Sequence, residues 1–149
     1  MSGRVEQIAT SPVAEQLPRP VDTVEVVPGQ GPRGDRHFSP EPVERGGNDL
    51  TLIEAEALEA LAAETGIELS HEESRRNVLT RGIRLNDLVG KRFRVGEVEC
   101  EGVQLCQPCS HLQSLTYPGV LRGLVHRAGL NANVTRGGTI AVGDEVAEL

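Results

Sequence analysis

The chain reads as a series of short strand-like runs broken by glycine and proline. Residues 4–10 (Arg-Val-Glu-Gln-Ile-Ala-Thr) and 22–27 (Asp-Thr-Val-Glu-Val-Val) are rich in β-branched side chains and read as strands. The same pattern returns after residue 80, in 92–95, 97–106, 132–135 and 139–148. The run Val103 to Cys106 should end near Pro108, because proline has no N–H to give to a strand ladder. Arg136-Gly137-Gly138 lies between two of these runs and predicts a hairpin. The clearest helix is Thr51 to Thr65. Thr51-x-x-Glu54 has the form of a capping box, Ile53, Ala57 and Leu61 make one apolar stripe, and Gly66 suits a left-handed end. Ser70-x-x-Glu73 is a second capping box, leading into Ser74-Arg75-Arg76-Asn77-Val78. Pro118 to Arg127 reads as a further helix closed by Gly129. Many short strands with few helices predict a mainly β fold, a closed and mostly antiparallel barrel with helical insertions.

Composition narrows the picture. A length of 149 residues suits one domain over 1–149 with one sizeable core. Aromatics are only 2 %, so the core must be aliphatic, and stacking platforms for single-stranded nucleic acid are disfavoured. A net charge of −7 argues against phosphate-backbone binding in general, so no nucleic-acid partner is expected. No apolar run approaches the ~20 residues of a membrane helix, and no signal-peptide pattern opens the chain. The three cysteines are an odd number, which fits a cytoplasmic protein better than a disulfide framework.

Candidate chemistry gathers in three places. Leu105-Cys106-Gln107-Pro108-Cys109-Ser110-His111 holds two of the cysteines. Cys106-x-x-Cys109 leaves three readings open: half of a zinc site, a dithiol redox motif, or a single functional thiol at Cys109. The zinc reading, which would make this a non-catalytic interaction domain, lacks a second pair at similar spacing; only Cys100, His111 and His126 could complete it. The dithiol reading lacks the strand-to-helix setting of a βαβ unit. Under the third, Cys100 and Cys106 are small buried hydrophobes, while Cys109 is the most polar and reactive thiol. The second place is Gly34-Asp35-Arg36-His37, within the glycine- and proline-rich stretch 28–48, a loop long enough to expect function or motion. The third is Arg75-Arg76-Asn77. Arginine forks bind phosphate or carboxylate, and an asparagine beside them can hydrogen-bond a ring edge or fix a loop. For His37 and His111 a structural hydrogen-bonding role competes with any role as a ligand.

Six motifs occur in order: Gly34-Asp35-Arg36-His37; Leu52-Ile53-Glu54-Ala55-Glu56; Ser74-Arg75-Arg76-Asn77-Val78; Leu88-Val89-Gly90 with Phe93-Arg94-Val95-Gly96; Pro108-Cys109; and Gly137-Gly138-x-Ile140-x-Val142-Gly143-Asp144. Together they resemble the MOSC family, named for the C-terminal domain of molybdenum cofactor sulfurase, from about residue 24 to 149. The resemblance implies a β-barrel whose key cysteine is Cys109. It implies sulfur carriage for metal–sulfur clusters, with a cysteine-desulfurase-type donor as partner. Equally, it implies binding of a molybdenum–pterin cofactor and reduction of N-hydroxylated small molecules, with Cys109 as molybdenum ligand. A soft thiolate suits both a sulfane sulfur and a heavy metal. Arg36, His37, Arg76 and Asn77 would line the cofactor pocket, with Cys106 and His111 as helpers and Cys106 placed to resolve a persulfide. The resemblance is to a small stand-alone member, so the extra N-terminal β-rich domain of the large relatives is not expected.

Overall fold

A computed structural model describes residues 2–13, 16–42, 49–106 and 116–149; in the last span the Leu121 side chain is left aside. The strands are β1 (Ser2–Thr10), β2 (Arg19–Val21), β3 (Thr23–Val27), β4 (Gly31–Pro32), β5 (Leu50–Glu54), β6 (Val78–Arg81), β7 (Arg92–Val95), β8 (Val98–Leu105), β9 (Leu130–Arg136), β10 (Gly138–Ala141) and β11 (Glu145–Glu148). The helices are α1 (Ala55–Thr65), α2 (His71–Ser74) and α3 (Val120–Gly123).

Seven strands close a barrel in the order β11-β7-β8-β9-β5-β6-β1, with β1 pairing back onto β11 and β2 added on the outer edge of β1. All these pairings are antiparallel except β5 with β6, which α1 and α2 connect. The mainly β barrel expected from the sequence is therefore present. A separate three-stranded sheet, β10-β3-β4, stands beside it. The run 139–148 is thus two strands in two sheets, and 22–27 lies outside the barrel. The β7–β8 hairpin turns at Gly96, whose φ of 58° is what a two-residue hairpin loop demands.

The barrel wall carries a core on each face. Leu50 and Leu52 point inward with Val5, Ile8, Phe93, Cys100, Leu130 and Ile140. Ile53 points outward with Leu58, Leu61, Leu79, Cys106, Leu124 and Ala128, under α1 and α3. The strand β5 is buried on both faces, so its apolar run does not alternate. That is why the helix begins four residues later than expected. Thr51 sits in β5 and bonds Asn77 instead of capping, and Glu54, at the helix start, accepts the Leu85 N–H at 3.2 Å. The expected helix Pro118 to Arg127 shrinks to one turn, α3. Gly129 serves a different purpose: its φ is 114° and a Cβ there would strike the Leu52 carbonyl, so glycine lets the chain lie against β5. Arg136-Gly137-Gly138 is not a hairpin either, since β9 pairs β5 and β8 while β10 pairs β3.

Candidate functional site

The outer face of the wall places polar side chains between the inward apolar ones. In β9, Leu130, Ala132 and Val134 face the barrel core, which turns Asn131 outward. Thr51 in β5 is its cross-strand partner, and Asn77 follows at the start of β6. The Asn77 side chain is committed there. Its Oδ1 accepts the Thr51 N–H at 3.2 Å and the Thr51 hydroxyl at 3.0 Å, and its Nδ2 donates to the Ala9 carbonyl at 3.4 Å. Asn77 thus binds β1, β6 and β5 together.

Arg76 lies one residue earlier and is half-buried. Its Nε donates to the Ala128 carbonyl at 2.8 Å, fixing the guanidinium across the wall. Among the described residues its two terminal NH₂ groups have no hydrogen-bond partner, and a guanidinium fork is a shape that binds anions. Cys106 lies within its field. That thiol is buried and donates to Asn131 Oδ1 at 3.2 Å. Burial pushes the thiol up, and the Arg76 charge pulls it partly back. Cys100, inside the barrel, is pushed up to about 12, first by burial and then by Asp49 and Glu99. Cys109 and His111 lie outside the described residues.

The described residues on either side of 107–115 meet two parts of the segment 71–76. Cys106 stands at one flank under Arg76. Past the other, the Tyr117 phenol donates to Glu73, a bond that raises the phenol above its ordinary range.

Arg36 and His37 are exposed on the loop after β4. Ser11, at the end of β1, holds this turn. Its N–H donates to Asp35 Oδ1 at 2.8 Å, its carbonyl accepts the Arg36 N–H at 2.9 Å, and its hydroxyl accepts from Arg36 Nη1 at 2.8 Å. Asp35 Oδ2 also takes the His37 N–H at 3.2 Å. Arg76, Asn77 and Cys106 are therefore brought together, while among the described residues no hydrogen bond or ion pair joins Arg36 or His37 to them. The Ser11 clamp adjoins them only through the chain, two residues past Ala9. Among the described residues, no three His, Cys, Asp or Glu side chains form a metal-binding set.

Asn131 and Ser11 escaped the sequence reading. An asparagine alternating with apolar residues in a strand is a usable signal, because strands are depleted in asparagine. Ser11 carries no such mark. His71 escaped as well: it is buried, and burial holds the imidazole below its ordinary range.

A shallow cavity of about 690 Å³ opens elsewhere, along β1 and the β2–β3 corner, lined by Glu6, Gln7, Val21, Asp22 and Val142. It holds none of the candidate residues. No helix among the described residues is long and apolar enough to cross a membrane.

A closed seven-stranded barrel of this topology matches a known class. The MOSC domain model matches residues 33–147, and the chain belongs to the MOSC family. Among solved structures, the YuaD protein of Bacillus subtilis superposes with a TM-score of 0.83 at 18 % identity, over 98 % of this chain and 94 % of that one. YiiM from Geobacillus stearothermophilus gives 0.70 at 15 % identity, over 99 % and 73 %. YiiM from Escherichia coli gives 0.67 at 17 % identity, over 98 % and 69 %. At such identities the likeness shows the fold. No curated protein matches the chain.

Proposed function

We propose that this MOSC protein carries sulfur on a Cys109 thiolate beside an anion held by Arg76. The bracketing of 107–115 carries the reading: Cys106 lies under the Arg76 charge at one flank, and Tyr117 is tied to Glu73 of α2 just past the other. Cys100 and Cys106 are buried with raised thiols, so thiolate chemistry falls to Cys109. Three peptide steps from Cys106 span at most about 11 Å, a short tether from the guanidinium.

The Cys109 thiolate attacks the outer sulfur of a persulfide on a cysteine-desulfurase-type donor. The donor's S–S bond breaks, its own thiolate leaves, and Cys109 becomes the persulfide with no net oxidation. The residues present also fit the anionic end of a molybdenum–pterin cofactor. The Arg76 fork suits phosphate oxygens, and Cys109 would ligate the metal; Arg36 and His37 are exposed on the separate loop after β4 and could reach only a cofactor that extends to it. When bound, that cofactor supplies a metal centre able to reduce N-hydroxylated compounds. Asn77 contributes by holding the wall under Arg76.

Exposure to a small-molecule persulfide, followed by site-resolved mass spectrometry, tests the reading. Sulfur is expected on Cys109 and lost in Cys109→Ser. Loading should be slower by about tenfold in Arg76→Gln, the size of one charge-assisted hydrogen bond. Preferential loading of Cys106, or loading that survives Cys109→Ser, overturns it. Molybdenum and pterin analysis of the isolated protein tests the cofactor arm separately.

A further inference from the structure

The helix α2 is one turn long, yet it is capped at both ends. At its start the Ser70 hydroxyl accepts the Glu73 N–H at 3.1 Å and the Glu73 carboxylate accepts the Ser70 N–H at 3.0 Å. That box satisfies two of the first turn's N–H groups. Ser74 acts at the other end. It is 1 % exposed, donates to the His71 carbonyl at 2.6 Å and accepts the Arg76 N–H at 3.4 Å. Between them Arg75 is left-handed, with φ 61° and ψ 21°, and its N–H lies on the Glu72 carbonyl at 3.2 Å. A non-glycine residue holds that conformation only where its surroundings impose it. Just beyond, the Asn77 N–H is fixed on Thr51, at 3.1 Å from its carbonyl and 3.0 Å from its hydroxyl. The backbone of Arg76 is therefore clamped on both sides.

We propose that Ser74 is a positioning residue which, with the left-handed turn at Arg75, aims the Arg76 guanidinium at the Ala128 carbonyl, next to Gly129, whose own carbonyl takes the Cys106 N–H at 2.8 Å. It deepens the function proposed above, since it rests on Arg76 as the cation of that site. Ser74 is too buried to meet a ligand. Its hydroxyl reaches forward, out of the helix, to the backbone N–H of Arg76, whose side chain crosses the wall to Ala128. A misdirected turn would leave the charge in solvent and the Cys106 thiol without its cationic neighbour.

The test needs no ligand. In a chain carrying Cys100→Ala and Cys109→Ser, Cys106 is the one remaining thiol and is titrated by the ultraviolet absorbance of its thiolate, with the single tyrosine's contribution subtracted. Arg76→Gln should move the titration to higher pH. Ser74→Ala should move it the same way, and should add nothing further on the Arg76→Gln background. A merely structural serine would give a shift that persists without Arg76. Arg75→Asn and Arg75→Val both remove the charge, but asparagine tolerates the left-handed turn and valine does not. Only valine should reproduce the Ser74→Ala shift, and this pair carries the test if Ser74→Ala fails to fold. The proposal falls if Ser74→Ala titrates like its parent, if its shift survives Arg76→Gln, or if Arg76→Gln itself has no effect. Failure of Cys109 to take up sulfur would sink the proposed function and leave this titration unchanged.

Discussion

Cys100 and Cys106 are six residues apart and both buried, yet they belong to different worlds. Cys100 faces into the barrel, across from Phe93 in the β7–β8 ladder, with Asp49 and Glu99 as its charged neighbours. Cys106 faces the outer core, gives its S–H to Asn131 and feels the positive Arg76. Burial opposes a thiolate at both. The sign of the neighbouring charge then separates them, worsening the cost inside and easing it outside. The barrel interior is a packed core, and the polar chemistry is carried by its outer wall under α2 and α3.

The largest effect should come from breaking the inner half of this pair. Phe93 is fully buried, and Phe93→Ala should cost about 3–5 kcal/mol in denaturant unfolding. The variant should also make Cys100 accessible to alkylation, while the labelling rate of Cys106 stays as it was. If Cys106 speeds up equally, the two cores are not energetically separate.

A smaller effect should separate the thiols themselves. Cys100→Ser buries a hydroxyl in apolar surroundings and should cost about 1–3 kcal/mol. Cys106→Ser keeps the Asn131 Oδ1 as its acceptor, and the loss should stay under about 1 kcal/mol. Equal losses in chemical denaturation would show that the Asn131 contact is worth nothing.

This contrast also explains what was readable from the sequence. Strands with one buried face, such as 92–95 and 98–105, kept their alternation and were legible. Leu50–Glu54, buried on both faces, lost it and merged with the helical stripe of Ile53, Ala57 and Leu61. Gly137 and Gly138 looked like a turn because glycine marks close approach as well as reversal. A Cβ on Gly137 would meet the Val26 carbonyl, and one on Gly138 would meet the Glu97 carboxylate. Within the candidate site, Arg76 and Cys106 were visible as residue types. Their union was not, because it depends on Arg76 crossing the wall to Ala128, 52 residues away. The commitment of Asn77 to Thr51 and Ala9 was hidden for the same reason.

Acid provides the gentlest way to part the two layers. His71 belongs to the outer one, in α2, five residues before Arg76. Its imidazole is held below the ordinary range mainly by burial, against smaller opposite pulls from Glu72 and the Arg76 backbone. A histidine with a depressed folded pKa favours the fold fully above its unfolded value of about 6.5. That stability is lost as pH falls below 6.5 and through the folded value, because the unfolded chain binds the proton first. Each unit of depression corresponds to about 1.4 kcal/mol. Glu54 works with the opposite sign: burial raises its carboxyl, so its protonation favours the fold as pH falls. The difference between the parent and His71→Leu isolates the histidine. Denaturant midpoints should drop between pH 8 and 5 by more in the parent than in His71→Leu, and hydrogen exchange at acid pH should rise first in α2 and the Arg76 turn. Parallel pH profiles in the two proteins, or exchange that begins in β7 and β8, would mean that the barrel and its outer layer loosen as one body.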